Sequence, residues 1–291
     1  MNSSFDELFL EESIEDIVLN PERILYFRNG AWKHWEGESP ERLNVSALAR
    51  TIANSVDVEL GYTTPSADAY WKLSPEHHFR AHVICYPMIE QGPEITLRRI
   101  QHTKHFDLKH FSCDQALKLH LTHSVQQSKN ILICGATGAG KSSLLFSLMT
   151  FIPKEERVLI LEDSSELPLP NKFSSRLLAR NDRFQSRNGS TWQMTDLVIE
   201  ALRMRPNRII LGECRGSEAL ALCRSLQTGH SGVMTTVHAG SPQEGLERIS
   251  DLCRDQSKTE FNQRKLWNII LHVKINKSGK REINSWYERD S

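Results

Sequence analysis

The 291-residue sequence has no surplus of charge of either sign, since 36 Lys and Arg face 36 Asp and Glu. A general polyanion binder carries a basic excess, so the balance speaks against one. Long apolar runs are missing too. Stretches such as Val158–Leu161 are strand-sized, far below the roughly 18 residues that suggest a membrane span. The first twenty residues contain Asp6, Glu7, Glu11, Glu12, Glu15 and Asp16 but no Lys or Arg, the wrong start for a secretory or transit peptide. Cysteine is sparse. Cys85, Cys113, Cys134, Cys214, Cys223 and Cys253 include no C-x-x-C pair, and with no secretory context they read as reduced thiols. His77, His78 and His82 cluster, as do His120 and His123, yet no Cys or carboxylate spacing completes a metal site and surface or packed histidines are the plainer reading. With 25% charged residues, 15 Gly and 11 Pro, collagen-like, low-complexity and disordered classes drop out. A soluble, cytoplasmic globular chain is expected, with any membrane association peripheral. Its length fits two domains or one large one.

Charge is unevenly spread. Residues 1–100 hold 9 Lys and Arg against 16 Asp and Glu, so the remainder carries an excess of seven positive charges. The organisation changes at about the same place. Residues 1–100 read as a small α+β domain. Ile14–Leu19 is apolar-rich and stopped by Asn20-Pro21, and Arg23–Phe27 and Ala31-Trp32 flank Asn29-Gly30, a hairpin signal. Val45, Leu48, Ala49, Ile52, Ala53 and Val56 follow helical spacing, and Ala81–Tyr86 and Glu94–Arg98 resemble strands. Residues 101–112 show no period and are read as a linker. From residue 113 to 291 helices alternate with short apolar strands: Asn130–Cys134, Arg157–Leu161, Arg208–Leu211 and Val233–Val237. Their lack of polar alternation fits a parallel sheet covered on both faces. Ser241-Pro242-x-Glu244 opens a further helix as a capping box. Ile270–Ile275 and Glu282–Trp286 pair around Ser278-Gly279 as a closing hairpin.

The chemistry concentrates in this second domain. Gly135, Ala136, Thr137, Gly138, Ala139, Gly140, Lys141 and Ser142 fit G-x-x-x-x-G-K-[ST], entered from an apolar strand and continued from Ser143 as a helix. That is the context a phosphate-binding loop demands. Its glycines let backbone N–H groups wrap phosphates, and the helix N-terminus adds its dipole. Lys141 is placed to reach the β/γ-phosphates of ATP and Ser142 to ligate Mg²⁺. No N-K-x-D element for guanine recognition exists, because both Asn-Lys pairs continue wrongly. A small-molecule kinase remains compatible with the loop alone. Glu213 follows the strand Arg208–Leu211 as a Walker B carboxylate does, Glu162 and Asp163 end a second strand, and His238 follows a third. Ligands of open parallel sheets sit at the carboxyl ends of strands, so all four elements share one edge. Helix capping by Glu213 and a packing role for His238 are the plainer alternatives.

Glu162-Asp163 with Glu166, Leu202–Gly216 and Thr228–Pro242 resemble the Asp box, Walker B and His box of the type II/type IV secretion-system ATPase superfamily. Together with the phosphate loop these are four motifs in the family's order. Pro65-x-x-Asp68, Phe79-Arg80 and Gly92–Arg99 resemble its N-terminal domain more weakly. No four-cysteine zinc element and no A-I-R-N-L motif is found, Asn207 stands where Asp is usual, and Ser142 replaces the commoner Thr. What remains is closest to the type IV secretion and tight-adherence pilus branch.

The resemblance implies a RecA-like P-loop NTPase domain with a mainly parallel sheet, preceded by a smaller α+β N-terminal domain. It implies a hexameric ring that hydrolyses ATP with Mg²⁺ on Ser142 and Glu213, at the inner membrane beside a platform protein of a pilus or secretion apparatus. Glu162 or Glu213 orients and deprotonates water, His238 senses the γ-phosphate, and Arg80 and Arg98 reach the phosphates when the domains close. Direct contact with nucleic acid is not expected. Two other classes stay open, a nucleic-acid translocase on the same core and a nucleotide-gated scaffold with little turnover.

Overall fold

The computed structural model describes residues 4–37, 40–100, 107–179, 192–254 and 263–289. The described residues up to Ile100 form one compact unit and those from Asp107 onward a second.

In the first unit, α1 (Ser4–Leu10), α2 (Pro40–Leu43) and α3 (Val45–Asn54) accompany six strands. The strands are β1 (Ile14–Leu19), β2 (Ile24–Arg28), β3 (Ala31–His34), β4 (Ser66–Lys72), β5 (His78–Ile84) and β6 (Glu94–Ile100). They make one antiparallel sheet in the order β3-β2-β1-β6-β5-β4. Asn29 and Gly30 both take positive φ, 54° and 78°, as a tight hairpin turn matched to strand twist requires. Asn44 caps α3 by accepting from the Ala47 N–H. Alternation along β5 buries Phe79, Ala81 and Val83 with Leu8, Ala49 and Ile52 and leaves His78, Arg80 and His82 on the other face. On that face Asp16, Arg98, Arg80 and Tyr70 stand opposite one another across four strands.

The second unit contains β7 (Ile131–Gly135), β8 (Val158–Glu162), β9 (Ser175–Leu178), β10 (Arg208–Leu211), β11 (Met234–Val237), β12 (Ile269–Ile275) and β13 (Arg281–Glu288). Their order is β13-β12-β7-β11-β10-β8-β9. Every neighbouring pair is parallel except the hairpin β12–β13. Its helices are α4 (Gln115–Gln126), α5 (Lys141–Met149), α6 (Met194–Arg203), α7 (Glu218–Gln227), α8 (Pro242–Arg254) and α9 (Gln263–Leu266). One face of the sheet buries Leu132, Leu159 and Ile209 against α6, α7 and α8, and the other buries Ile131, Ile133 and Ile160 against α4 and α5. Every residue of β7, β8, β10 and β11 is buried, which explains their unbroken apolar runs. Each fully buried Leu or Ile in such a layer contributes about 1.5–3 kcal/mol.

The expected linker differs in part. Residues 101–106 lie outside the described residues, whereas Leu108–His110 form a 3-10 turn and Leu108 and Phe111 are buried in the second unit's core. Two apolar residues among polar neighbours leave no period to read. Among the described residues no helix is long and apolar enough to cross a membrane.

Candidate functional site

The phosphate loop follows β7 directly. Gly138 and Gly140 adopt φ of 75° and 99°, where a side chain is strained. A Cβ on Gly135 would sit 2.5 Å from the Val273 carbonyl of β12. Gly140 opens α5 without any side-chain cap, although α3 and α4 are capped by Asn44 and Asp114. The first N–H groups of α5 are therefore free to meet an anion, and the helix dipole favours one there. This cradle fits a phosphate chain. Ser142 is exposed in the first turn of α5 and Ser143 follows it, partly buried. Ala136 and Thr137 are exposed at the loop's rim, and Ala139 is buried beneath it, its N–H donating to the Ala136 carbonyl.

Register brings the remaining groups to this edge. Leu161 aligns with Leu211, Leu211 with Thr235, and Val237 with Cys134. Glu162, Glu213, His238 and the loop thus leave the sheet at one level. The end of β10 is fixed on both sides. Gly212 N–H donates to the Leu161 carbonyl, Cys214 N–H to the Thr236 carbonyl, and Thr236 Oγ1 to the Gly212 carbonyl.

Lys141, His238 and Glu213 touch. Lys141 Nζ donates to the carbonyls of Gly135 (3.1 Å) and Ala136 (3.0 Å) and to His238 Nδ1 at 3.2 Å. With Nδ1 accepting, the imidazole proton sits on Nε2, which faces Glu213 Oε1 at 2.8 Å. Glu213 Oε2 accepts from Arg215 Nη2 at 2.6 Å, and Arg215 Nη1 lies 3.7 Å from Asp163 Oδ2. Burial lowers the Lys141 pKa, partly offset by Glu213. Burial also pushes Glu213 upward, but Arg215, His238 and Lys141 together overcome it and hold the carboxyl below its usual range. Glu213 is therefore a carboxylate at neutral pH.

Glu162 is engaged differently. Its Oε1 accepts the N–H groups of Glu166 (3.2 Å) and Leu167 (2.8 Å), and its Oε2 accepts Arg176 Nε at 3.0 Å. Arg176 also donates to the Leu167 carbonyl. Glu162 thus organises the loop after β8. Burial raises its pKa to about 7 against these hydrogen bonds.

Arg80 and Arg98 belong to the first unit, directly opposite each other on β5 and β6. Arg98 Nε donates to Asp16 Oδ1 at 2.8 Å. For Mg²⁺, the donors available are the Ser142 hydroxyl and the Glu213 carboxylate. Among the described residues no three His, Cys, Asp or Glu side chains group to hold a metal. Mg²⁺ ordinarily completes its shell with substrate phosphates and water, so the donor set fits that ion.

Three residues of the site receive no role from the sequence. Arg215 bridges Glu213 and Asp163, and its place two residues after Glu213 is the one available signal. Arg176 comes from β9, whose sequence carries no strand signature. Glu218 is buried and accepts the N–H groups of Arg215 (2.6 Å) and Gly216 (2.8 Å), pinning the loop that carries Arg215.

Known proteins resemble this chain in sequence and in fold. The family described as "Type II/IV secretion system protein" matches residues 70–275. A putative conjugal transfer protein of Mycobacterium tuberculosis is 32% identical over 212 residues, covering 70% of this chain and 59% of that protein. The type IV secretion system protein VirB11 of Bartonella henselae is 34% identical over 160 residues, 55% of this chain and 44% of its own length. This chain therefore spans between two fifths and three fifths of these relatives. Among solved structures, the ATPase DotB of Legionella pneumophila superposes with a TM-score of 0.71 at 20% identity, covering 99% of this chain and 81% of DotB. The pilus retraction motor PilT, solved with bound ADP, gives 0.72 at 17% identity, covering 99% of this chain and 83% of PilT. Likeness at this identity establishes the fold, a RecA-like P-loop domain preceded by a smaller α+β domain. With more than half of its length matched, the chain belongs to the type II/IV secretion system protein family.

Proposed function

We propose that this protein is a Mg²⁺-dependent ATPase working as a hexameric ring at the cytoplasmic face of the inner membrane. Hydrolysis drives pilus assembly or substrate export through a membrane platform protein, with no direct role for nucleic acid. One observation carries the reading: Lys141, His238 and Glu213 form an unbroken set of contacts at the ends of three adjacent parallel strands. A structural glycine turn has no need of a buried lysine, an imidazole and a carboxylate converging on it. Likeness to a putative conjugal transfer protein and to a type IV secretion system protein supports the export setting. Likeness to PilT, which was crystallised with ADP, supports adenine nucleotide as ligand.

In this reading ATP lies in the loop Gly135–Ser143. Mg²⁺ bound with it neutralises charge on the phosphate oxygens, and Ser142 and Glu213 are the residues that hold it. Lys141 leaves its own loop carbonyls for the β/γ-phosphates. His238, released by Lys141, reports the γ-phosphate to Glu213. Glu213, ionised and within reach of the same edge, orients the attacking water, while Glu162 keeps the neighbouring loop in place. Arg80 and Arg98 supply positive charge from the N-terminal domain on closure, Arg98 exchanging Asp16 for a phosphate as it does so.

The test is Mg²⁺-dependent ATP hydrolysis against protein concentration, for wild type and Glu213→Gln. Turnover per chain should rise with concentration, and the variant should lose at least about 100-fold. A flat rate indifferent to the substitution would overturn the motor reading.

A further inference from the structure

We propose that Arg281, on the C-terminal hairpin, is a direct contact to the phosphates of the bound nucleotide. The inference rests on the nucleotide reading above and adds a residue that none of the four motifs contains.

Arg281 is the first residue of β13 and pairs with Ile275. Its backbone is held from two sides, because its carbonyl also accepts the Ser112 N–H at 2.9 Å, and Ile283 N–H returns a bond to the Ser112 carbonyl at 3.1 Å. From this fixed origin the side chain runs across Gly140. A Cβ on Gly140 would lie 2.6 Å from both Cδ and Nε of Arg281 and 3.4 Å from its Cγ. No other residue at position 140 leaves that path open, and the positive φ of Gly140 adds to the restriction. Gly140 precedes Lys141 and opens the uncapped helix α5. The arginine stem is therefore laid over the phosphate loop itself, not over a neighbouring surface.

The electrostatics point the same way. A guanidinium whose stem crosses Gly140, the residue before a buried lysine at a helix N-terminus, adds positive charge to a loop already suited to an anion. A polyanion seated there is favoured by all three. Guanidinium forks match phosphate oxygens in two parallel hydrogen bonds, which a lysine cannot copy. β12 borders β7, and β13 borders β12, so the hairpin brings this group in from the side of the loop opposite Glu213 and Glu162. The nucleotide is then gripped from both sides by one chain.

Calorimetric titration of ADP, ATP and adenosine into wild type, Arg281→Gln, Arg281→Lys and Lys141→Ala tests this. Arg281→Gln should weaken ADP and ATP by about 10- to 100-fold and leave adenosine unchanged. Arg281→Lys should recover part of that loss. The unfolding midpoint without nucleotide should match wild type, while the upward shift caused by ADP shrinks in proportion to affinity. If Arg281→Gln does not fold, Arg281→Lys carries the test, with ADP binding weaker than wild type by several-fold. Wild-type ADP affinity in Arg281→Gln, with binding lost in Lys141→Ala, overturns the role of Arg281 and leaves the nucleotide reading standing. An equal loss for adenosine overturns the phosphate contact in favour of one to the base. No ADP binding by wild type overturns both.

Discussion

Glu162 is pulled in opposite directions by its surroundings. Burial favours the neutral acid, while two backbone N–H groups and Arg176 favour the carboxylate, and the balance leaves its pKa at about 7, above the ordinary 4.5. A carboxyl whose native pKa lies above its unfolded value binds more protons when folded. Its stabilising contribution is therefore complete below about pH 4.5 and is lost as pH rises through about 7. Glu162→Gln removes that titration but keeps the Oε1 acceptor for Leu167 and Glu166. Relative to this variant, wild type should lose on the order of 3 kcal/mol of unfolding free energy between about pH 4.5 and 8. Urea unfolding of both proteins across that range measures it, and parallel profiles would contradict the assignment. Glu213 shows the reverse balance at the same edge, since Arg215, His238 and Lys141 outweigh its burial. Two carboxyl groups at neighbouring strand ends are thus set to different protonation behaviour by which cations reach them. Arg176 arrives from β9, the next strand in the chain, across an irregular loop, so no short spacing rule around Glu162 reveals it. Arg215 lies two positions from Glu213 and is within reach of a local reading.

At the scale of elements, α8 connects His238 to the fold. Ser241 Oγ accepts the Glu244 N–H at 3.2 Å, and the Glu244 carboxylate reaches back to Gly240 N–H at 2.9 Å. These two bonds begin two residues beyond His238, so they fix the path of the chain as it leaves β11. Ser241→Ala should cost about 1 kcal/mol of stability. Hydrogen exchange should show the first-turn amides of α8 opening faster, with the amides of β10 unchanged, and uniform exchange would count against a local role. The Ser241–Glu244 half of the expected capping box is legible because it joins residues three apart, whereas the return bond reaches Gly240 instead of the Ser241 N–H. The buried parallel strands β7, β8, β10 and β11 are legible for a related reason, since burial on both faces selects continuous apolar runs. β4 and β9 are not. β4 is an edge strand whose first half, Ser-Ala-Asp-Ala, is made of poor strand formers, and β9 is four residues of mixed character at the edge of the parallel sheet. Edge strands are stabilised by their single neighbour more than by their own pattern, and a neighbour is not visible in local sequence. The reach of Arg281 over Gly140 escapes for the same reason, as it depends on β13 closing beside β12.

For the whole molecule the strongest long-range feature is its charge division. The first hundred residues carry a balance of −7 and the rest +7, within a neutral chain. A neutral chain has little net self-repulsion to oppose association, and a divided one has attraction to drive it when the negative part of one copy meets the positive part of the next. Such head-to-tail contacts are heterologous, and they close into rings where the rotation between copies allows. Ring assembly in the proposed motor should therefore depend on ionic strength. Raising salt from about 0.05 M to about 0.5 M shortens the screening length from roughly 14 Å to 4 Å and suppresses all but close pairs. Sedimentation velocity should show the ring species giving way to smaller ones over this range, with ATP hydrolysis per chain falling in parallel. Nucleotide affinity, set by contacts within one chain at Lys141 and the loop amides, should change far less over the same range. Assembly held by apolar surface would respond in the opposite sense, since high salt leaves burial intact, and an unchanged or larger ring at high salt would assign the interface to that term instead of to charge.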